Sequence, residues 1–134
     1  MINIYQYLII PIIVCIISQT IKVIIEFIKT KKLNIIRFID GMGGMPSTHS
    51  ALVSSLTTLV CINYNITSII FSITLFFSLI VIYDSMGIRY ESGNQAKELN
   101  KILGTNFKEP LGHSPIEVLL GVLLGIILTL ILCK

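Results

Sequence analysis

The chain has 134 residues, 54% of them hydrophobic and 13% charged, with a formal net charge of +3 and a mean hydropathy of +0.88. A soluble domain of this size has no interior large enough for so much apolar surface, and soluble chains carry roughly a quarter charged residues. An ordinary soluble domain is excluded, and the small positive charge follows membrane topology rather than a nucleic-acid partner.

The composition predicts a single integral membrane domain over residues 1–134. Its fold class is all-α, a polytopic membrane helix bundle with about four transmembrane helices and a short interfacial helix. The first span covers about residues 4–28. It lacks a basic start and a small-residue cleavage pattern, so it reads as a retained span rather than a signal peptide. Gln19, Lys22 and Glu26 share one face near its end. Ionisable groups at membrane depth are costly and usually face a bundle interior or a watery cavity. A lysine snorkelling to the interface, or a Lys22–Glu26 pair, is the plainer alternative.

The next loop carries Lys29, Lys31, Lys32 and Arg37 and ends in Gly41–Ala51, GMGGMPSTHSA. Gly43 and Gly44 allow close backbone approach, and Pro46, Ser47, Thr48 and His49 form a helix start. Free N–H groups and the helix dipole suit an anion there. The second span covers about residues 48–64 and carries a small stripe of Ser50, Ser54 and Thr58. An uncharged turn, residues 63–65, leads to the third span at about residues 66–83.

A polar stretch from Asp84 to Gly112 follows. Within it, residues 94–103 predict a short amphipathic helix at the interface, with Gly87, Gly93 and Gly104 as turns or caps. The fourth span covers about residues 115–133. His113, Glu117, Gly121 and Gly125 recur every four residues, and the two glycines form a GxxxG pair that admits another backbone. Packing this face on the stripe of the second span brings His49 and His113, the only two histidines, to one membrane face. Cys15, Cys61 and Cys133 have no metal spacing and read as apolar packing residues.

Arg89, Lys97, Lys101 and Lys108 join the cations of the first loop on one side. The positive-inside rule then puts both loops in the cytoplasm and both termini outside. The expected location is the cell (plasma) membrane, with the site on its cytoplasmic side. His113 and Glu117, four apart, fit either metal ligation with further ligands from His49, Asp84 or Glu26, or a basic or nucleophilic histidine oriented by its carboxylate. Lys22, Arg89 and Lys108 favour an anionic substrate.

The blocks Gly43–Ala51, Asp84–Arg89 with Gly93–Asn100, and Gly112–Val118 resemble those of the divergent branch of the type 2 phosphatidic acid phosphatase family, in the same order. That family shares its site plan with vanadium haloperoxidases and bacterial acid phosphatases. The resemblance implies a metal-independent phosphatase without cofactor, acting on a phosphorylated lipid or isoprenoid-type substrate in the bilayer. His113 would be the nucleophile, Glu117 its orienting carboxylate and His49 the acid. Lys22, Ser47, Thr48, Arg89 and Lys108 would bind phosphate. Several positions depart from the mainstream pattern. Lys22 lacks the Arg-Pro partner, Thr48 replaces a glycine, Phe107 replaces an arginine with Lys108 beside it, and Glu117 replaces an aspartate. Two further readings stay open: a non-catalytic protein binding phosphorylated lipid or a partner through an inherited pocket, and a small transporter built around Lys22 and Glu26. Homo-oligomerisation is compatible with all of these.

Overall fold

The computed structural model describes residues 4–31, 43–107, 109 and 112–134. Five helices run through them: α1 (Gln6–Thr30), α2 (Thr48–Asn63), α3 (Ile69–Met86), α4 (Ile88–Leu103) and α5 (Pro115–Leu132). Serines start three of them. Ser47, Ser68 and Ser114 cap α2, α3 and α5, each hydroxyl accepting a first-turn N–H, as N-cap serines do. The α3 cap shifts that helix about three residues beyond the expected span. Asn65 accepts from Thr67 N–H through its side chain and from Ser68 N–H through its carbonyl, so the turn outlasts residue 65.

The bundle is all-α among the described residues, as the composition requires. By length and apolarity, α1, the α3–α4 run and α5 are long enough to cross a membrane. Helix α2 is shorter, with 16 residues, or about 24 Å against a hydrocarbon core of about 30 Å. It nevertheless occupies the middle, packed against α1, α3 and α5. Ile10 and Val14 of α1 meet Ala51 and Leu59 of α2 in the buried core. The chain runs up α1, down α2, up α3 and back along α5, so α2 and α5 are parallel and begin at the same end.

The polar stretch differs from expectation. Its helix is longer, Ile88–Leu103, and is separated from α3 only by Gly87. Helical bonding continues across that residue, from Gly87 N–H to Tyr83 O and from Glu91 N–H to Gly87 O. Gly93 is therefore a buried position inside α4 rather than a turn, whereas Gly104, with φ +64°, does cap it.

Helices α2 and α5 meet through small residues. A Cβ on Gly121 would collide with the Ser47 carbonyl, and one on Gly125 with Ser54 Oγ and the Ala51 carbonyl. Ser54 Oγ donates to Val122 O at 3.2 Å, and Ser55 pairs with Thr129 at 2.6 Å. The stripe is thus Ser50 and Ser54, as expected, continued by Ser55 instead of Thr58. Thr58 instead borders a cavity between α2, α3 and α5, its hydroxyl donating to Ser54 O.

Two predictions follow from this packing and direction. Gly121→Leu or Gly125→Leu should lower thermal stability in detergent by at least the roughly 1–3 kcal/mol of an overpacked core, whereas Leu123→Ile on the exposed face should change little. Cysteines introduced at Lys31 and Lys97, with the native ones replaced, should label from the same side of the membrane. Labelling from opposite sides would break the helix order described above.

Candidate functional site

The starts of α2 and α5 build the site together. Ser47 N–H donates to Glu117 O at 3.0 Å, joining the two helix ends through their backbones. The Ser47 hydroxyl is completely buried and accepts from Ser50 N–H and Ser50 Oγ–H. Ahead of it, Gly43 and Gly44 have φ of +45° and +91°, which glycine adopts without a Cβ penalty. Gly44 thereby lies in the wall of a cavity of about 420 Å³, together with Lys22, Glu26, Lys29, Ser114 and Glu117.

His113 is buried just before α5. Its backbone N–H donates to Ser85 O at the end of α3, at 3.0 Å. Its Nδ1 lies 3.1 Å from Glu117 Oε2. The same oxygen accepts Ser114 N–H at 3.2 Å, while Glu117 N–H donates to Ser114 Oγ. This reciprocal capping box holds the carboxylate where it meets the imidazole. An ionised Glu117 keeps the proton on Nδ1 and leaves a lone pair on Nε2. Nε2 is buried without a hydrogen-bond partner among the described residues.

Burial pushes the His113 pKa below the usual histidine value. The hydrogen bond and charge of Glu117 oppose that shift, and the charges of Lys22 and Arg89 add to it. Burial and these cations thus favour the neutral imidazole. His49, in the first turn of α2, faces Arg89 Nη2 across 3.5 Å through its Nε2. Its Nδ1 is also buried without a partner among the described residues. The two histidines and Lys22 are close enough to act on one another electrostatically.

The expected site residues therefore distribute as follows. His49, His113, Glu117, Lys22 and Arg89 share one polar region, with Lys22 buried and Arg89 exposed. Ser47 caps α2. Thr48 is buried against α1, its hydroxyl accepting from Ser18 at 3.4 Å. Lys108 lies outside the described residues. Asp84 borders a hollow over Phe76 and Tyr83. Among the described residues, no three His, Cys, Asp or Glu side chains group as metal ligands.

Four contributors were assigned no role from the sequence. Ser114 was legible, because Ser-x-x-Glu before an apolar run is a capping-box signature. The Ser85 carbonyl had no sequence signal. Gly112 leaves no room for a Cβ, which would lie 2.7 Å from Tyr90 N. Asn100 binds the chain after α4 on both sides of its amide: Oδ1 accepts from Phe107 N–H and Thr105 Oγ–H, and Nδ2 donates to Phe107 O and Glu109.

The family described as the divergent PAP2 family matches residues 4–128, and the chain belongs to it. The uncharacterized membrane protein YuiD of Bacillus subtilis (strain 168) is 37% identical over 136 residues, covering 86% of this chain and 85% of its own. No solved structure matches.

The electrostatics generate a test. In an NMR titration of the detergent-solubilised protein, His113 should titrate below the ordinary value of about 6.5. Glu117→Gln removes the contribution that raises it, so the midpoint should move lower still. A midpoint that rises in the variant would contradict the Glu117 contact.

Proposed function

We propose that this member of the divergent PAP2 family is a membrane phosphatase that cleaves the phosphomonoester of a lipid or isoprenoid-type alcohol. The observation that carries the reading is the His113 imidazole: Nδ1 is tied to Glu117, and Nε2 is buried with an unused lone pair. In the proposed reaction Nε2 attacks phosphorus and the P–O bond to the alcohol breaks. His49, entering the reaction as the imidazolium, gives one proton to the departing oxygen and becomes neutral. Water then attacks the phosphohistidine, its proton passes to His49, the P–N bond breaks and inorganic phosphate leaves.

Lys22, Arg89 and the N–H groups at the start of α2 would stabilise the charge of the transferring phosphoryl group. Arg89 would stand in for the arginine that Phe107 replaces, and Lys108 would add a further cation. Ser47 would act by holding the α2 start, and Thr48 by tying it to α1. In the same proposal the site faces the cytoplasm from the plasma membrane, a reading supported by Lys29, Lys31, Lys97 and Lys101 at that end of the bundle. The competing reading, a pocket that binds phosphate without turning it over, draws its support from Phe107 at the arginine position.

Phosphate release from a panel of lipid phosphates in micelles separates the two. Turnover should fall to background in His113→Ala, and Arg89→Ala should lose about a hundredfold in kcat/KM. Vanadate, which imitates the five-coordinate transition state, should bind about a hundredfold more tightly than substrate or better. A protein that binds these lipids with both histidines intact, yet releases no phosphate and ignores vanadate, is the binder.

A further inference from the structure

A second cavity, about 390 Å³, lies between α2, α3 and α5. Its size falls in the range of roughly 300–1,000 Å³ typical of ligand pockets. Cys61 and Phe71 line its outer end, Leu75, Leu79 and Val122 its length, and Ile82 its inner end. We infer that this groove is the slot for a single hydrocarbon chain of the phosphorylated substrate. The inference rests on the phosphate pocket proposed above, though not on its turnover.

The lining chemistry selects the occupant. Ser54, Thr57, Thr58 and Ser78 also border the groove. Each donates to a carbonyl within the bundle: Ser54 to Val122 and Ala51, Thr57 to Val53, Thr58 to Ser54, and Ser78 to Thr74. Their donors are already used, so the surface presented to a guest is almost wholly apolar. An anionic guest would lose its hydration there without compensation, since no donor is left to meet it. A hydrocarbon chain loses nothing.

Continuity with the site selects the orientation. Ser54 follows His49 by five residues, about 7.5 Å along the helix. Ile82 precedes by three residues Ser85, whose carbonyl holds the His113 N–H. Cys61 follows His49 by twelve residues, about 18 Å away along α2. A phosphate at His113 thus has the mouth of the groove beside it, with the chain directed towards Cys61. Neither of two neighbouring hollows, as the described residues line them, offers a second tail a comparable slot. The cavity on the other side of Glu117 is lined by Lys22, Glu26 and Lys29 and does not suit a second tail. The apolar hollow over Phe76, Ile80 and Tyr83 is walled by α3 alone and encloses nothing.

The exposed thiol of Cys61 provides a ruler. With Cys15 and Cys133 changed to serine, the protein in nanodiscs is treated with alkyl phosphonates of graded length, each carrying a terminal maleimide. Labelling of Cys61 should peak at one chain length. It should fall about tenfold, the equivalent of 1.4 kcal/mol, when the phosphonate is replaced by a hydroxyl. Leu79→Trp, which fills the groove, should abolish the peak. The head-group comparison uses the unsubstituted groove and does not depend on that variant folding. A one-chain phosphate should protect Cys61 better than a two-chain one; equal protection overturns the single-chain assignment. Labelling indifferent to length and head group means that bilayer lipid fills the groove, and Cys61–Cys61 cross-linking without labelling means that a second copy covers it. Either overturns the proposal. Phosphonates are not hydrolysed, so the assay is independent of turnover: ordered labelling without phosphate release keeps the slot and removes the enzyme, and the converse removes the slot.

Discussion

The polar end of this bundle depends on how closely the backbones of α2 and α5 approach. Gly121 admits the Ser47 carbonyl, and Ser47 N–H reaches Glu117 O. One histidine stands in the first turn of α2 and the other just before α5, so backbone contact between the two starts is what makes them neighbours. In a bilayer, lipid offers no hydrophobic drive for helices to pair, and close packing with hydrogen bonding has to supply it. The glycines provide the approach, and Ser54, Ser55 and Thr129 provide the bonds.

The same requirement accounts for the composition of α2. A helix rich in serine and threonine is poorly suited to face lipid, yet this one is surrounded by α1, α3 and α5. Its hydroxyls bond to backbone carbonyls, to the Ser47 cap or to partners on neighbouring helices, such as Thr57 with Ser78. Being shorter than the hydrocarbon core is thick, α2 starts below the membrane surface if its far end reaches the opposite face. Lys22 points to similar depth, since it lies eight residues, about 12 Å, from the end of α1. Irregular backbone at Gly43–Ser47 is tolerated at such depth because it is packed on protein and lines a cavity. Charges there, Lys22 and Glu26 among them, interact more strongly than in water.

Glu117 combines two tasks that are usually separate. As the third residue of α5 it closes the capping box with Ser114, and the oxygen that accepts Ser114 N–H also meets His113. The helix end therefore positions the carboxylate, and the carboxylate orients the ring. An aspartate there has one methylene less to span both contacts. The Ser85 carbonyl accepts the His113 backbone N–H, so the residue's main chain is anchored to α3 while its ring is held from α5.

Much of this was determined by the sequence alone. Apolar runs of span length require a helical membrane bundle, because backbone groups in lipid must be satisfied within the chain. The four-residue recurrence of His113, Glu117, Gly121 and Gly125 puts them on one helix face whatever surrounds it, and Ser47 and Ser114 signal helix starts by local chemistry. Tertiary structure decided the rest. Gly93 looked like a break but is buried within α4, since one glycine costs a helix interior only about 1 kcal/mol. Ser55, rather than Thr58, continues the α5 contact because the crossing of two helices sets which residues meet. Arg89 reaches His49 across forty positions, and the Ser85 carbonyl holds His113 with an atom every residue possesses. No side-chain pattern can encode such a contact; it exists only once α2, α3 and α5 are packed together.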